Sequence, residues 1–504
     1  MPQPLSQLAI QLHPRDNVAI AKQDIPARTT IIMPDHNALK IGESIPEGHK
    51  FALCAIAAGE PVLRYGYRIG MATEPIAPGA WVHTHNLAVG DIAREYAWTV
   101  VENPLPQPAR HTFLGFRRPD GRVGTRNYIA VIATSNCSAH VTTQIARAFT
   151  PERLAAYPNI DGVIPIIHHS GCCVPIGGAS YVFLQRALAN IARNPNIGAY
   201  VVVGLGCEGN QVDKCFDVKQ LDAAFVIQEQ GCFRKTVAAA VQVIEQLLPR
   251  VNACHRTPQP ISELNIALEC GGSDSWSGVT ANPLVGLVAD AVVKQGGMAV
   301  LAETPEIFGA EHLLSHRVVS AEVGRKFAER FAWWNEQARL YGFSMDNNPS
   351  PGNKAGGLTT IFEKSLGAVA KGGSTPLTAV YEYAEFVTSK GLVFMDTPGY
   401  DPTATTGQLA GGCNLLIFTT GRGSLFGSNI VPCVKVASNS ALYKRMSDDM
   451  DFNAGRVLED VPMQTAADEL LHLVIAVASG QRTKTEQKGL PECEFVPWHL
   501  GAML

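Results

Sequence analysis

Three cysteines stand at equal intervals of 35 residues: Cys137, Cys172 and Cys207. Thiolates are soft ligands suited to zinc and iron–sulfur centres, and three of them leave one iron of a [4Fe–4S] cluster open to substrate. An open metal position is what Lewis-acid chemistry uses. Cys173 adjoins Cys172, so either can be the ligand; the register and the preceding Gly171 favour Cys172. None of the spacings is C-x-x-C, so the pattern admits a metal without demanding one. A merely buried thiol is an ordinary outcome.

A second set is oxygen-rich: Glu269, Asp274, Glu303, Glu306, Glu311 and Asp396. Hard ligands of this kind suit Mg, Ca, Mn or Fe(II). With Cys270 they form the alternative placement for a metal. The third set is His49-Lys50 and His83-Thr84-His85-Asn86. In a strand His83 and His85 point to one side and so can share a ligand. Arg126 and Asn127 end a loop of four arginines and make an anion-binding candidate, against the plainer reading of a solvated loop.

The elements that must place these groups follow from hydrophobic runs. YIAVIAT (128–134), GVIPII (162–167) and AYVVVGL (199–205) each precede one of the three cysteines. Such β-branched runs between helix-length segments read as parallel strands buried on both faces. Ligands gather at the carboxyl ends of parallel strands. LNIALE (264–269) precedes Cys270 in the same way.

The chain divides into a small all-β domain over 1–95, a linker over 96–114, a middle α/β domain over 115–258 and a C-terminal α/β domain over 259–504. Turn phrases mark the first: Ile-Pro-Ala (25–27), Ile-Pro-Glu-Gly (45–48), Ile-Ala-Ala-Gly (56–59) and Ile-Ala-Pro-Gly (76–79). Helices are expected over 138–149, 178–193, 217–229 and 234–248, and RTPQPISE (256–263) reads as a second linker-like break. Strands are expected over 264–269, 298–302, 391–396, 414–419 and 432–437. A helix over 283–295 has Asn282 as N-cap. The glycine-rich insertion 347–357 reads as a functional loop.

Charged residues are 17% of the chain and the net charge is −4, which speaks against nucleic acid and anionic membrane as partners. No apolar run is long enough to span a bilayer. Twelve cysteines without a secretory signal suggest reduced thiols and the cytoplasm. There is no P-loop, no G-x-G-x-x-G opening a helix after a strand and no H-E-x-x-H motif.

Longer phrases carry a resemblance. GHKFAL (48–53), HTHN (83–86), GTRN (124–127), GLGCE (204–208), ECGGSDSWSGVTANP (269–283), ETPEIFGAEHLL (303–314), NNPSPGNKAGGLTT (347–360), EKSLG (363–367) and FTTGRGS (418–424) span nearly the whole length. They are similar to the altronate dehydratase / galactarate dehydratase family of sugar-acid hydro-lyases. The resemblance implies an N-terminal SAF-like β-clip domain, a middle α/β domain and a Rossmann-like C-terminal domain carrying a metal. It also implies iron-dependent conversion of a polyhydroxy acid to a 2-keto-3-deoxy acid. The iron, as Fe2+ or a labile [4Fe–4S] cluster, is expected on Cys137, Cys172 and Cys207, with Cys270, Glu269, Asp274, Glu303 and Asp396 as the alternative.

The reaction needs a base for the proton alpha to a carboxylate, cations for the ene-diolate, and assistance to the leaving hydroxyl. His85 or Lys50 is the expected base, with His83 next and His49 beside them. Arg126, Lys354 and Arg422 are expected to clamp carboxylate, and Asn86, Asn127, Ser273 and Asn353 to meet the hydroxyl chain. An altronate-type aldonate is the expected substrate, galactarate or a sulfo-acid the alternative, and a homodimer the expected assembly. A sugar-acid-binding protein without activity is the non-enzyme alternative.

Overall fold

The computed structural model describes residues 2–90, 96–219, 221–489 and 494–500. The expected end of the first domain, at 95, lies outside the described residues.

The turn phrases organise the N-terminal domain. Ile25 bridges Ile45 and Ile56 bridges Ile76, and all four isoleucines are buried. In each phrase the turn closes on the residue after the fourth position, as in His49 N–H to Pro46 O at 3.0 Å. Gly48, Gly59 and Gly79 hold the third turn position at φ near +78°, the requirement of a type II turn; Arg28 does so in the first phrase. The strands Ala9–Ile10, Val18–Ala21, β1 (Lys50–Ala52) and β2 (Trp81–Val82) form one antiparallel sheet.

In the middle domain, four parallel strands run in the order β4-β3-β5-β6: β3 (Tyr128–Ala133), β4 (Gly162–Ile166), β5 (Ile197–Gly204) and β6 (Ala223–Val226). Side chains alternate between faces. Ile129 and Val131 pack with α1 (Asn136–Arg147) and α3 (Phe233–Asn252), whereas Tyr128, Ala130 and Ile132 face α2 (Ala179–Ile191). The helix expected over 217–229 is not there. Its apolar stretch Ala223–Val226 is the edge strand β6, followed by one helical turn. RTPQPISE is likewise no break. Arg256–Pro260 pairs antiparallel with Thr112–Arg117, at a sheet edge where proline's missing donor is tolerated.

The C-terminal sheet has seven parallel strands in the order β9-β10-β8-β7-β11-β12-β13. These are β7 (Asn265–Cys270), β8 (Met298–Leu301), β9 (Leu377–Tyr381), β10 (Gly391–Met395), β11 (Leu415–Thr420), β12 (Cys433–Ala437) and β13 (Phe452–Asn453). The five expected strands are found, and the edge strands β9 and β13 are additional. One face packs on α4 (Ala281–Lys294) and on the helix Met463–Ala478; the other shares a core with α2. α4 starts at Ala281, and Asn282 is not its cap. It accepts from Thr419 Oγ1 at 2.6 Å and donates to Gly367 O at 3.0 Å. The insertion becomes a short helix, α5 (Pro351–Ala355), capped by Ser350, ahead of α6 (Ile361–Val369).

Candidate active site

The N-terminal domain meets the C-terminal loops along a glycine seam. A Cβ at Gly357, whose φ is +93°, would lie 2.4 Å from the Gly48 carbonyl oxygen, so only glycine permits this approach. Beside the seam Trp81 gathers the histidines. Its ring stacks on His83 at 5.2 Å and lies 5.4 Å from His49 and 5.3 Å from His85. The sequence reading placed His83 and His85 together but missed Trp81, the surface they share. The strand β2 ends at Val82, so the pair sits on a turn.

The histidines differ. His49 Nδ1 accepts from Trp81 Nε1 at 3.2 Å, and Nε2 lies 3.4 Å from Ala355 O, so both nitrogens are engaged. Among the described residues the His83 ring has no hydrogen-bond partner, and its Nδ1 is buried. Burial, then the charge of Lys50, holds His83 down to about 4 and lowers His49 as well. His85 is exposed. Asn86 is not open to substrate: it donates to Trp81 O at 2.8 Å and accepts from His83 N–H at 3.0 Å, closing the turn.

Lys50 is not placed as an exposed base. It is fully buried, 2.8 Å from Glu363 and 2.6 Å from Gly357 O. Arg64 binds the same carboxylate, and the sequence reading singled out neither Arg64 nor Glu363. Glu363 lies in the EKSLG phrase, but nothing in the sequence pairs it with a lysine 313 residues earlier.

Across the seam stand two cations. Lys354 on α5 is half-buried and Arg422, after β11, is exposed; among the described residues neither makes an ion pair or a hydrogen bond through its side chain. Both border the Ala355–Gly356 turn that His49 touches. A Cβ at Gly356 would lie 3.1 Å from Arg422 Cδ. Asn353 and Ser273 support this turn rather than facing a ligand. Asn353 donates to Ser273 O at 2.7 Å and caps α5 with Ser350, and Ser273 Oγ lies 3.6 Å from Cys270 Sγ.

Arg126 and Asn127 are elsewhere. Arg126 is buried against Glu486 at 2.7 Å and donates to Val477 O and Gln481 O. Asn127 accepts from Arg118 and donates to Asn159 O and Val251 O. Both fasten the middle domain, and neither is open to an anion.

The alternative metal ligands do not assemble. Asp274 accepts from Ser277, Ser438 and Asn439 at 2.8–2.9 Å, and Asp396 from Thr304 and Trp334. Both oxygens of Asp274 are occupied, and Asp396 is held through Oδ1. Cys270 lies 3.0 Å from Lys371 Nζ, which also meets Glu306. Lys364 joins Glu306 at 3.2 Å. Glu311 accepts from Gly309 N–H. Glu269 and Glu303 remain, buried side by side, both raised well above the usual carboxyl range by burial. Glu303 sits at φ +63°, a strained setting for a non-glycine residue.

The three cysteines lie in loops at the carboxyl edge of the middle sheet. Cys137 starts α1, Cys172 follows β4, Cys207 follows β5, and all are exposed. Gly209 N–H donates to Cys172 O, tying the last two loops, and Gly171 and Gly206 adopt φ of +101° and +126°. Partial desolvation, a contact with Cys173 and the nearby Cys137 push the Cys172 thiol up to about 11. Glu208, which the sequence reading passed over, holds the Cys207 loop through Leu205 N–H at 2.9 Å. Among the described residues no three His, Cys, Asp or Glu side chains are grouped closely enough to hold a metal ion. Thiolate is a soft donor, and Cys172 stands beside both Cys173 and Cys137. The loop after β11 ties this edge to the cleft: it carries Arg422 near its start, and Asn429 donates to Pro165 O in β4 at 2.7 Å.

Comparison with known proteins covers nearly the whole chain. It matches the altronate/galactarate dehydratase SAF domain over 7–90, the D-galactarate dehydratase/altronate hydrolase second domain over 115–252 and the D-galactarate/altronate dehydratase C-terminal domain over 261–503. It is 36% identical over 491 residues to an altronate dehydratase of Bacillus subtilis (strain 168), covering 96% of this chain and 97% of that one. It is 36% identical over 497 residues to the galactarate dehydratase (L-threo-forming) of Escherichia coli (strain K12), covering 95% of each. A (2R)-sulfolactate sulfo-lyase subunit beta from Chromohalobacter salexigens is 32% identical over 388 residues, covering 75% of this chain and 95% of that one.

Proposed function

This chain belongs to the D-galactarate/altronate dehydratase family of hydro-lyase enzymes, and from that premise we propose that it dehydrates a sugar acid, an altronate-type aldonate, to a 2-keto-3-deoxy acid. The observation that carries this reading is the pairing of unpartnered Lys354 and Arg422 with the histidine group around a single turn. An aldonate presents one carboxylate to two cations. The same cations stabilise the ene-diolate once the alpha proton leaves, when negative charge grows on the carboxylate oxygens.

His83 is the base in this scheme. It is neutral at neutral pH and its ring nitrogens are not engaged by other side chains, whereas His49 is held at both nitrogens. His83 takes the alpha proton and returns it to the departing hydroxyl. The C–H and C–O bonds break, the C=C bond forms and water leaves. The enol then becomes the ketone by moving its hydroxyl proton to the adjacent carbon. Cys137, Cys172 and Cys207 would hold iron, and bound iron supplies Lewis-acid assistance to the loss of a hydroxyl.

The C-terminal sheet supports a Rossmann-like reading. Without the edge strand β9 its order is the third, second, first, fourth, fifth and sixth strand of the unit, that of doubly wound sheets. Among the described residues no helix is long and apolar enough to cross a membrane, in keeping with a cytoplasmic enzyme.

Galactarate is the second reading, because Lys354 and Arg422 stand on separate loops and can each meet one carboxylate of an aldarate. The test is an anaerobic screen of altronate, galactarate and sulfolactate with Fe(II) and thiol, scoring 2-keto-3-deoxy acid and sulfite. Keto acid from altronate is expected. Sulfite release alone, or no product from any sugar acid, overturns the assignment.

A further inference from the structure

A closed ring of buried bonds joins the two domains. Lys50 Nζ donates to Gly357 O at 2.6 Å, and Gly356 O accepts from Ser275 N–H at 2.9 Å. Ser275 O accepts from Arg64 Nη2 at 2.7 Å, Arg64 binds Glu363, and Glu363 returns to Lys50. Glu363 also accepts from Thr359 N–H at 2.8 Å. The ring therefore grips the stretch from Gly356 to Glu363, which follows directly on Lys354. Lys50, Arg64 and Glu363 are each at most 1% exposed, so two cations answer one carboxylate and an extra positive charge remains inside.

We propose that Lys50 is a positioning residue for this reaction: it fastens the turn that carries Lys354 and sets positive charge against the histidine group, and it is not the base. A base must reach the substrate proton, and the Lys50 ammonium is sealed behind Gly357 and Glu363. A buried lysine removed from its carboxylate leaves that carboxylate with Arg64 alone, so its loss acts on the turn first. The groups facing His83 are Lys50 of β1, His49 just before it, His85 from its own turn, and Glu363 from α6. Those facing Lys50 are Glu363 and Arg64, and Arg64 in turn faces Asp16 and Tyr65. Within this set Lys50 is the charge that most opposes a proton on His83. Its own proton is held lightly, burial drawing it down to about 8.

The inference rests on the dehydratase reading for its kinetic arm only. The experiment compares the full-length wild type with Lys50→Met and Lys50→Arg. One arm follows the His83 ring by NMR across pH, with no substrate present. The other measures kcat and KM across pH on the sugar acid turned over. In Lys50→Met the His83 midpoint moves up from about 4 toward its ordinary value, and Lys50→Arg, which keeps the charge, restores it. KM rises roughly tenfold in Lys50→Met, while the plateau kcat stays within a few-fold of wild type. In the wild type KM climbs above pH about 8 as Lys50 loses its proton. A His83 midpoint unmoved in Lys50→Met overturns the proposal. So does a kcat fall of a hundredfold with KM unchanged, the mark of a lost base. If Lys50→Met does not fold, the wild-type alkaline limb decides: kcat falling above pH 8 at constant KM overturns it. If no sugar acid is turned over, the dehydratase reading fails and the NMR arm alone decides this one.

Discussion

Glu269 and Glu303, at the carboxyl ends of the neighbouring strands β7 and β8, contact each other as two buried carboxyl groups. Both oxygens of Glu269 and one of Glu303 receive no donor from the protein. With no donor to answer a charge, burial favours the protonated form of both. Lys364 and Lys371 pair with Glu306, which is held down to about 2, while burial raises Glu269 and Glu303. The nest thus sets one acid held low against two held high.

Glutamine substitutions separate these states. Glu269→Gln replaces a neutral carboxyl by a neutral amide and is expected to change unfolding free energy by less than about 1 kcal/mol. Glu306→Gln strands two buried ammonium groups and is expected to cost about 3–5 kcal/mol. Urea unfolding of the two variants checks the contrast; equal losses would contradict it.

Acid stability follows from the depressed acids. Glu363 and Glu306 are both held down to about 2 in the folded chain, against 4.5 ordinarily. Their contribution is complete above pH about 4.5 and is lost as pH falls toward 2, because the unfolded chain then binds the protons more readily. The raised pair Glu269 and Glu303 runs the other way: its contribution is complete below about 4.5 and fades as pH rises through the raised values. Thermal melts from pH 6 down to pH 2 should fall steeply, and Glu363→Gln should flatten the slope.

Loss of the anion clamp should act on substrate affinity. Lys354→Ala and Arg422→Ala are each expected to raise KM roughly tenfold to a hundredfold, the worth of a charge-assisted hydrogen bond. Both side chains lack protein partners, so Tm should barely move. Steady-state kinetics beside thermal melts read both quantities.

His83→Gln should lower kcat by a factor of about 100 to 10,000, the usual worth of a general base. The Asn86 side chain holds the turn through the backbone of His83 and Trp81, so the fold should survive, as circular dichroism would show. His85→Gln, at the exposed rim, is expected to have a smaller effect.

Iron should protect thiols. In chelator-stripped protein Cys137, Cys172 and Cys207 are exposed and should react with maleimide. After anaerobic loading with Fe(II) and sulfide, mass spectrometry should find those three unlabelled and Cys54, also exposed, still labelled. Labelling of all three at an unchanged rate would remove iron from this edge.

Buried parallel strands were legible in the sequence because their β-branched runs are continuous, and the cysteines after β3, β4 and β5 do end on one edge. β6 was not, since Ala223–Val226 is short and merges with the helical turn behind it. Arg126 looked like an anion site because sequence spacing cannot show a glutamate 360 residues away that neutralises it. His83 and His85 were legible as a pair, but their difference was not. It comes from the burial of one beside Lys50 and the exposure of the other, which only the packed seam decides.

The contact between Gly48 and Gly357 has a consequence for engineering. Two loops about three hundred positions apart in the chain share one surface: a Cβ at Gly357 has no room there, and Gly48 holds its turn at φ +78°, which a side chain would strain. A library that diversifies the 347–360 loop to change substrate preference must leave Gly357 fixed, and one that rebuilds the N-terminal domain must leave Gly48 fixed. The unit of redesign is therefore the matched pair of loops, exchanged together between relatives, rather than either domain alone.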